Sequence, residues 1–357
     1  MKSPTALQFK NDLQEMKEIV KADFSFSKAI FFWDFTVSAV VGWALFIAAM
    51  LLLTPQSAAF WGCLIVASLA HYRALSFIHE VAHNKEKIPR FQMIYNLLAG
   101  YWYGTPAYTH FPHNDHHNPT TFGSIHDPEY VEWSEKSPLS VFRPFIFCLA
   151  APLVITARFC LLPLVSFLFT ESFKKTIFQK FSTFAMQANY ERDLKVDEYQ
   201  LSHKEELWCA AFFLIRLALS VFVLPYFLFF QLLMLGFASF LNSYRAMVAH
   251  RYQVGRHRTE NDTNIDSYRE QALDSVTIDE GFLAELWAPV GLRYHSLHHI
   301  FPTLPYYALG KAHAKLKRSL GPQHFYHQTI ESSFWSAITK LYKSCQTSTE
   351  GVGQKCS

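Results

Sequence analysis

The apolar residues of this chain fall in long blocks rather than in the short alternations of a soluble fold. Residues 29–53 are apolar almost throughout, and crossing a bilayer takes about 20 such residues, so this block predicts a membrane span. Asp34 near its start is the one misfit and reads as an interfacial carboxylate. A short uncharged turn, Thr54-Pro55-Gln56-Ser57, leads into residues 58–78, which predict a return span. His71, Tyr72 and Arg73 in its last turns predict a helix that continues past the lipid. Residues 91–108 are apolar but rich in Tyr, Trp and Gly, and suit a re-entrant or interfacial segment. Residues 139–170 are interrupted by Pro144, Pro152 and Pro163 and carry Arg143 and Arg158. That argues against a single straight span and leaves an interfacial helix and a short hairpin both open. Residues 207–241 are apolar over 35 positions. As one helix they would measure roughly 50 Å, too long for a single crossing of a ~30 Å core. Pro225 near the middle predicts two spans joined by a tight turn. From about residue 242 the chain is polar and predicted mostly helical, and residues 345–357 read as a disordered tail. No repeat of fixed period is present.

Composition adjusts this picture. Half of the 357 residues are apolar, 34 of them Phe. Charged residues make up only 17%, against roughly 25% in an average soluble protein. The mean hydropathy is only +0.06, so a membrane body must carry a polar part of similar size. A net charge of +3, spread over several segments, forms no basic stripe and argues against nucleic acid as a partner. The six Cys are scattered without a CxxC pair, which argues against a disulfide framework and a thiolate metal site. Residues 1–28 are polar, with lysines at 2, 10, 17, 21 and 28, and do not read as a signal peptide.

Charge placement gives an orientation. The turns at 54–57 and 224–227 lack Lys and Arg, whereas 1–28, 84–90, 171–206 and 251–279 hold many. Cytoplasmic loops carry the excess of basic residues, so both termini are expected on the cytoplasmic side. The predicted fold is all-α: a multi-pass integral membrane protein with about four transmembrane helices and a cytoplasmic helical cap. The expected layout is a cytoplasmic segment over 1–28, one membrane domain over 29–344 and the tail over 345–357.

The candidate chemistry lies in histidine, which occurs 17 times. Three clusters stand out: His79-Glu80-Val81-Ala82-His83, His113-Asn114-Asp115-His116-His117 and His295-Ser296-Leu297-His298-His299. Under the expected topology all three face the cytoplasm. Positions i and i+4 share a helix face, so His79 and His83 are expected to reach one metal. The same reasoning groups His113, His116 and His117, and again His295, His298 and His299. Eight imidazoles are too many for one metal and suit two; imidazole suits iron, zinc, copper or nickel. One chance HxxHH match is expected roughly 0.04 times in such a chain, and two about a thousandth of the time. The first cluster alone also fits the HExxH signature of a zinc protease with Glu80 as general base, but such a site has no use for two further clusters. Eight neutral histidines gathered at a membrane face are costly without metal or partners.

The three clusters resemble the histidine boxes of the integral-membrane fatty acid desaturase and hydroxylase superfamily. The likeness is tight over Gly291-Leu292-Arg293-Tyr294-His295-Ser296-Leu297-His298-His299-Ile300-Phe301-Pro302, and extends to Pro305-Tyr306-Tyr307 and Ala312-His313. It also takes in Asn118-Pro119-Thr120-Thr121-Phe122-Gly123 and Asp127-Pro128-Glu129-Tyr130, and covers roughly residues 60–320. The resemblance implies two iron ions, Fe2+/Fe3+, held by the eight box histidines, with O2 as co-substrate. It also implies a further ligand in Arg245-Ala246-Met247-Val248-Ala249-His250-Arg251-Tyr252, which falls on His250. His71, His110, His126, His257 and His313 read as outer or surface residues. Glu80, Asp115 and Asp127 are candidates to orient ligand imidazoles through their free N–H.

No protein side chain abstracts hydrogen from an alkyl chain, so that step belongs to a redox metal and O2. The substrate implied is a fatty acyl chain held in the lipid bilayer, in an apolar tunnel that the aromatic supply of the spans can line. The sequence carries no CxxCH haem motif, HPGG signature, cysteine cluster or GxGxxG. The reductant is therefore expected to be a separate ferredoxin- or cytochrome b5-like protein. Desaturation is the first expectation: two hydrogens leave and a cis double bond remains. Hydroxylation and oxidative decarboxylation to a terminal alkene share the same site, and histidine counts do not separate them. From other classes, an intramembrane zinc metalloprotease and a non-enzymatic metal-binding or transport protein are the rivals.

Overall fold

The computed structural model describes residues 4–131, 137–253 and 264–353, without the side chains of 264 and 346–353. It is all-α. Among the described residues the extended structure is one short parallel pair, Thr277–Ile278 with Ile330–Glu331, and two isolated bridges.

Helices Lys28–Leu52 and Ala58–Asn84 form the expected hairpin. Ser57 caps the second helix by accepting the Phe60 N–H at 3.2 Å. Close approach of the pair depends on Gly42, where an added Cβ would stand 2.7 Å from the His71 ring. Asp34 is not left to the interface alone: its carboxylate pairs with Arg73 on the partner helix and accepts the Tyr306 hydroxyl at 2.8 Å. The block at 207–241 divides as expected, into helices Val196–Phe222 and Phe227–Met247 around a turn containing Pro225, with Tyr226 at φ 68°. That turn lies beside the turn at 54–57, because Phe227, Phe230 and Met234 share a core with Phe46, Phe60 and Leu64.

Four helical runs are long and apolar enough to cross a bilayer: Lys28–Leu52, Ala58–Asn84, Pro138–Leu168 and Phe227–Met247. The third was left open between an interfacial helix and a hairpin, and its contacts trace a dip and a return. Phe145 packs on Phe240 and Tyr244 near the end of helix 227–247, and Cys148 and Pro152 then meet Gly236 farther along it. Within a π-helical turn at Thr156–Leu161, Cys160 lies against Arg216, and Arg158 pairs with Glu206 at 2.8 Å. The run therefore descends along one helix and climbs the other. Helix Val196–Phe222 runs antiparallel to 227–247. It carries Glu205, Glu206 and Arg216, and each has partners inside the protein, as buried charge requires. Glu205 accepts from Gln92 at 2.7 Å and Asn96 at 2.8 Å, and Arg216 donates to Gln231 at 3.3 Å.

Residues 91–108 form no full span. They run through helix Pro89–Tyr95, a π-turn at Asn96–Gly100 and Tyr101–Tyr103, and turn at Gly104 with φ 68°. The polar helices gather at the end opposite the two tight turns. Helices Ala6–Val20, Asn264–Asp274 and Tyr306–Ser319 pack there around Phe9, Leu316 and Phe325. Helix Phe334–Gly353 runs into the stretch 345–357, whose last four residues lie outside the described part.

Candidate metal centre

Three short pieces of helix and one bridge bring the histidines together. His79 and His83 occupy the last two turns of helix Ala58–Asn84. His113–His117 and His295–Ile300 are one-turn helices, each entered through a sharp bend. The second bend needs Gly291, whose φ is 69° and where a Cβ would stand 2.9 Å from the Tyr306 carbonyl. His250 follows the end of helix 227–247 in a bridge with Ser275.

The nine histidines form two adjacent groups. His79, His83, His113, His117 and His298 make the first; His116, His250, His295 and His299 make the second. In each group, one nitrogen per residue lies within 4.8 Å of all the others. This corrects one expectation: the i+3 residue of each HxxHH box does not join its neighbours. His113 and His117 serve the first group while His116 serves the second, and His295 and His299 serve the second while His298 serves the first. At about 100° per residue, i and i+4 lie some 40° apart, whereas i+3 falls on the other side of i. Each short helix therefore stands between the groups and feeds both. The His117 and His299 rings stack across the divide, 4.2 Å apart.

Carboxylates hold the outer nitrogens. Glu80 Oε1 lies 3.1 Å from His79 Nδ1, Glu129 Oε1 2.6 Å from His113 Nδ1, and Asp127 Oδ1 2.9 Å from His116 Nδ1. Asp274 Oδ2 stands 3.5 Å from His250 Nδ1. Glu80 and Asp127 are where the sequence reading put them, but Asp115 is not. Its carboxylate accepts the Tyr190 hydroxyl at 3.4 Å, because it projects from helix 113–117 away from both groups. Sequence reasoning missed Glu129, although it stands two residues after Asp127 in a stretch already singled out. Asp274 had no sequence signal, since helix 264–274 brings it in from a distance. Glu80 contacts His79 with one oxygen and Asn84 with the other.

Burial pushes His113, His117, His295 and His299 well below the ordinary imidazole pKa, and neighbouring imidazoles add to the effect. His298 is pushed down to about 3 by burial and then by His116 and Arg245. These rings are therefore neutral, the form that ligates metal. Burial also opposes charge on His116, but Asp127 outweighs it and raises that pKa. The same carboxylate favours a cation at His116 Nε2.

The donor set fits metal on independent grounds. His116 and His250 both turn Nδ1 toward a carboxylate, yet their Nε2 atoms face each other at 3.0 Å. His295 Nε2 lies 2.9 Å from His250 Nε2, and His298 Nε2 lies 3.0 Å from His83 Nε2. Imidazole nitrogens about 2.1 Å from a common cation at right angles stand about 3.0 Å apart. His79 Nε2 is buried and has no hydrogen-bond partner among the described residues.

The remaining histidines lie outside both groups. His71 bonds the Ala67 carbonyl inside the first hairpin, His126 is exposed, and His313 bonds Tyr326. His110 stacks on His113, 3.8 Å from Glu129. His257 lies outside the described residues. One cleft reaches His79 and His110 from between helices 58–84 and 227–247 and the dipping run, whose Phe147, Ala151 and Ile155 form one wall.

Comparison with known proteins agrees with this construction. A model of the fatty acid desaturase family matches residues 55–330. The chain is 35% identical to a ceramide hydroxylase from Caulobacter vibrioides over 321 residues, 88% of each chain. It is 32% identical to an sn-1 acyl-lipid omega-3 desaturase (ferredoxin) from Synechocystis sp. over 96 residues, 25% of each chain. No solved structure matches. A family model matching residues 55–330, with all nine histidines of both groups inside the matched region, leads to one conclusion: this chain belongs to the fatty acid desaturase family.

Proposed function

We propose that this protein is an O2-dependent di-iron hydroxylase of a ceramide-like membrane lipid. The observation that carries the choice is the similarity to a ceramide hydroxylase along 88% of both chains, against a quarter for the desaturase. Desaturation, the first expectation from sequence, becomes the second reading, favoured by the shorter match.

In this reading His79, His83, His113, His117 and His298 hold one iron, and His116, His250, His295 and His299 the other. Bound iron, cycling between Fe2+ and Fe3+, would supply the reduction of O2 and the attack on an unactivated C–H bond. The chain's own residues do the rest. Glu80, Glu129 and Asp127 fix the imidazole tautomers by accepting hydrogen bonds from Nδ1–H, and the Asp274 carboxylate stands beside His250 Nδ1. The cleft at His79 admits a lipid chain from the bilayer and excludes water. Hydroxylation balances as one C–H, O2, two electrons and two protons giving C–OH and one water. The electrons come from a separate ferredoxin- or cytochrome b5-like donor. In this reading the histidine-bearing end and both termini face the cytoplasm, which the basic segments around that end support, with one catalytic unit over 29–344.

Lipids extracted from a host expressing the protein test the reading. Gain of one oxygen on ceramide supports hydroxylation; loss of two hydrogens moves the assignment to desaturation. Replacing His298 with Ala is expected to abolish product while the protein still accumulates in the membrane. Metal analysis should find about two irons per chain, and a single zinc without iron would end the di-iron reading.

A further inference from the structure

The cleft that reaches His79 is not apolar where it meets the histidines. Its face on helix 227–247 runs from Leu235 and Ala238, near the middle of that helix, through Ser239, Asn242 and Ser243 to Arg245. These positions recur at three and four residues and so share one face. On the facing helix 58–84, Tyr72 and Ser76 continue the polar band beside His79. The Tyr72 hydroxyl is given to the Trp287 carbonyl at 2.8 Å, and the Ser76 hydroxyl to the Tyr72 carbonyl at 2.8 Å. Ser243 donates to the Ser239 carbonyl at 2.7 Å. Each hydroxyl proton is thus spent, and each oxygen can still accept. Arg245 donates Nε and Nη2 to Asn242 Oδ1, at 3.2 and 3.1 Å. Its guanidinium also faces the Tyr72 hydroxyl; among the described residues no carboxylate pairs with it, and its fork holds five N–H donors in all.

A methylene chain pressed against this band would take water from these groups and return no hydrogen bonds, which is unfavourable. Carbonyl and hydroxyl oxygens would satisfy Arg245 and Asn242, and a hydroxyl proton would find an acceptor in Ser76 or Ser243. The polarity of the cleft therefore fixes the direction of a bound lipid. Its oxygen-rich end lies beside His79, and its hydrocarbon runs past Ala238 and Leu235 toward mid-bilayer. Reaction requires a C–H bond held at the oxidising centre, and the carbons at that level are those next to the polar linkage. Resting on the oxidase reading of the histidine groups, we propose that the protein oxidises its lipid at carbons adjacent to the amide and hydroxyl linkage, counting from that linkage, with Arg245 as the positioning residue.

The test uses the full-length protein in membranes, supplied with ceramides of two acyl chain lengths, and locates the modification by tandem mass spectrometry. The expected result is a position fixed relative to the linkage and unchanged by chain length. A mid-chain position, or one counted from the methyl end, overturns the inference and leaves the hydroxylase reading intact. A double bond in place of a hydroxyl fails the hydroxylase reading, while its position still tests this one. Arg245→Ala should raise KM for ceramide by about tenfold, the scale of one lost charged hydrogen bond. It should also scatter the position over neighbouring carbons, while Arg245→Lys restores most of the selectivity. Unchanged KM and position in Arg245→Ala would remove the positioning role.

Discussion

Single side chains decide how well the two groups can hold metal. Asp127 accepts from His116 and from the backbone N–H groups of Gly123, Glu129 and Tyr130, so it fixes both an imidazole and the loop that carries it. Loss of such a partner costs about 10–100-fold in metal affinity or activity. Asp127→Asn and Glu129→Gln are therefore expected to lower iron per chain and product formation by about that factor, read by metal analysis of purified protein. Asp115→Asn is the contrast: its carboxylate faces Tyr190, so iron content should stay at the wild-type level. The carboxylates adjoining a histidine box were legible in the sequence, as Glu80 and Asp127 illustrate. Asp274 was not, since it lies on a separate helix, Asn264–Asp274, and adjoins no histidine box; only the fold brings it to His250.

Between elements, close approach replaces hydrophobic driving force, because lipid is as apolar as the helices it surrounds. Gly236 is the tightest such contact: an added Cβ would stand 2.4 Å from the Cys148 carbonyl, on the run that walls the cleft. Gly236→Ala must push these two elements apart, and overpacking of this kind costs about 1–3 kcal/mol. A lower melting temperature in detergent is expected, with reduced turnover. Gly62→Ala is the control, since nothing lies within 4 Å of its added Cβ, and it should melt like the parent. Periodicity predicted the first hairpin and the division at Pro225 correctly. It left 139–170 undecided because proline and arginine fit a hairpin and an interfacial helix alike, and only its packing against Gly236 and Glu206 gives its path.

At the scale of the whole molecule, the two tight turns share one end and the histidine groups the other. Both ends of the run Pro138–Leu168 lie toward the histidine end: Val141 shares a core with Met247 and Tyr252, and Pro163 and Ser166 line a cavity with Tyr199. Length and composition alone would count this run as a span. Single cysteines placed at Ser137 and Thr170 should react with an impermeant thiol reagent from the same side of the membrane as one at Lys195. Labelling of Ser137 and Thr170 from opposite sides would make the run a true span. Reaction of all three from the cytoplasm would agree with the orientation drawn from basic residues.

The sequence by itself determined the all-α membrane character, the first hairpin, the paired helices around Pro225 and the nine histidines that converge. These follow from local quantities: block length, charge placement and the spacing of residues along a helix. Tertiary structure decided how the nine divide, because the i+3 residue of a short helix can turn to either neighbour until both are in place. It decided which carboxylates reach which imidazoles: Glu129 meets His113, while Asp115, inside the box itself, turns to Tyr190. It also decided that Arg245, Asn242 and Ser243 share a cleft with His79. Helix 227–247 and helix 58–84 are distant in sequence, and only their packing brings a polar stripe on one beside the histidine-bearing end of the other.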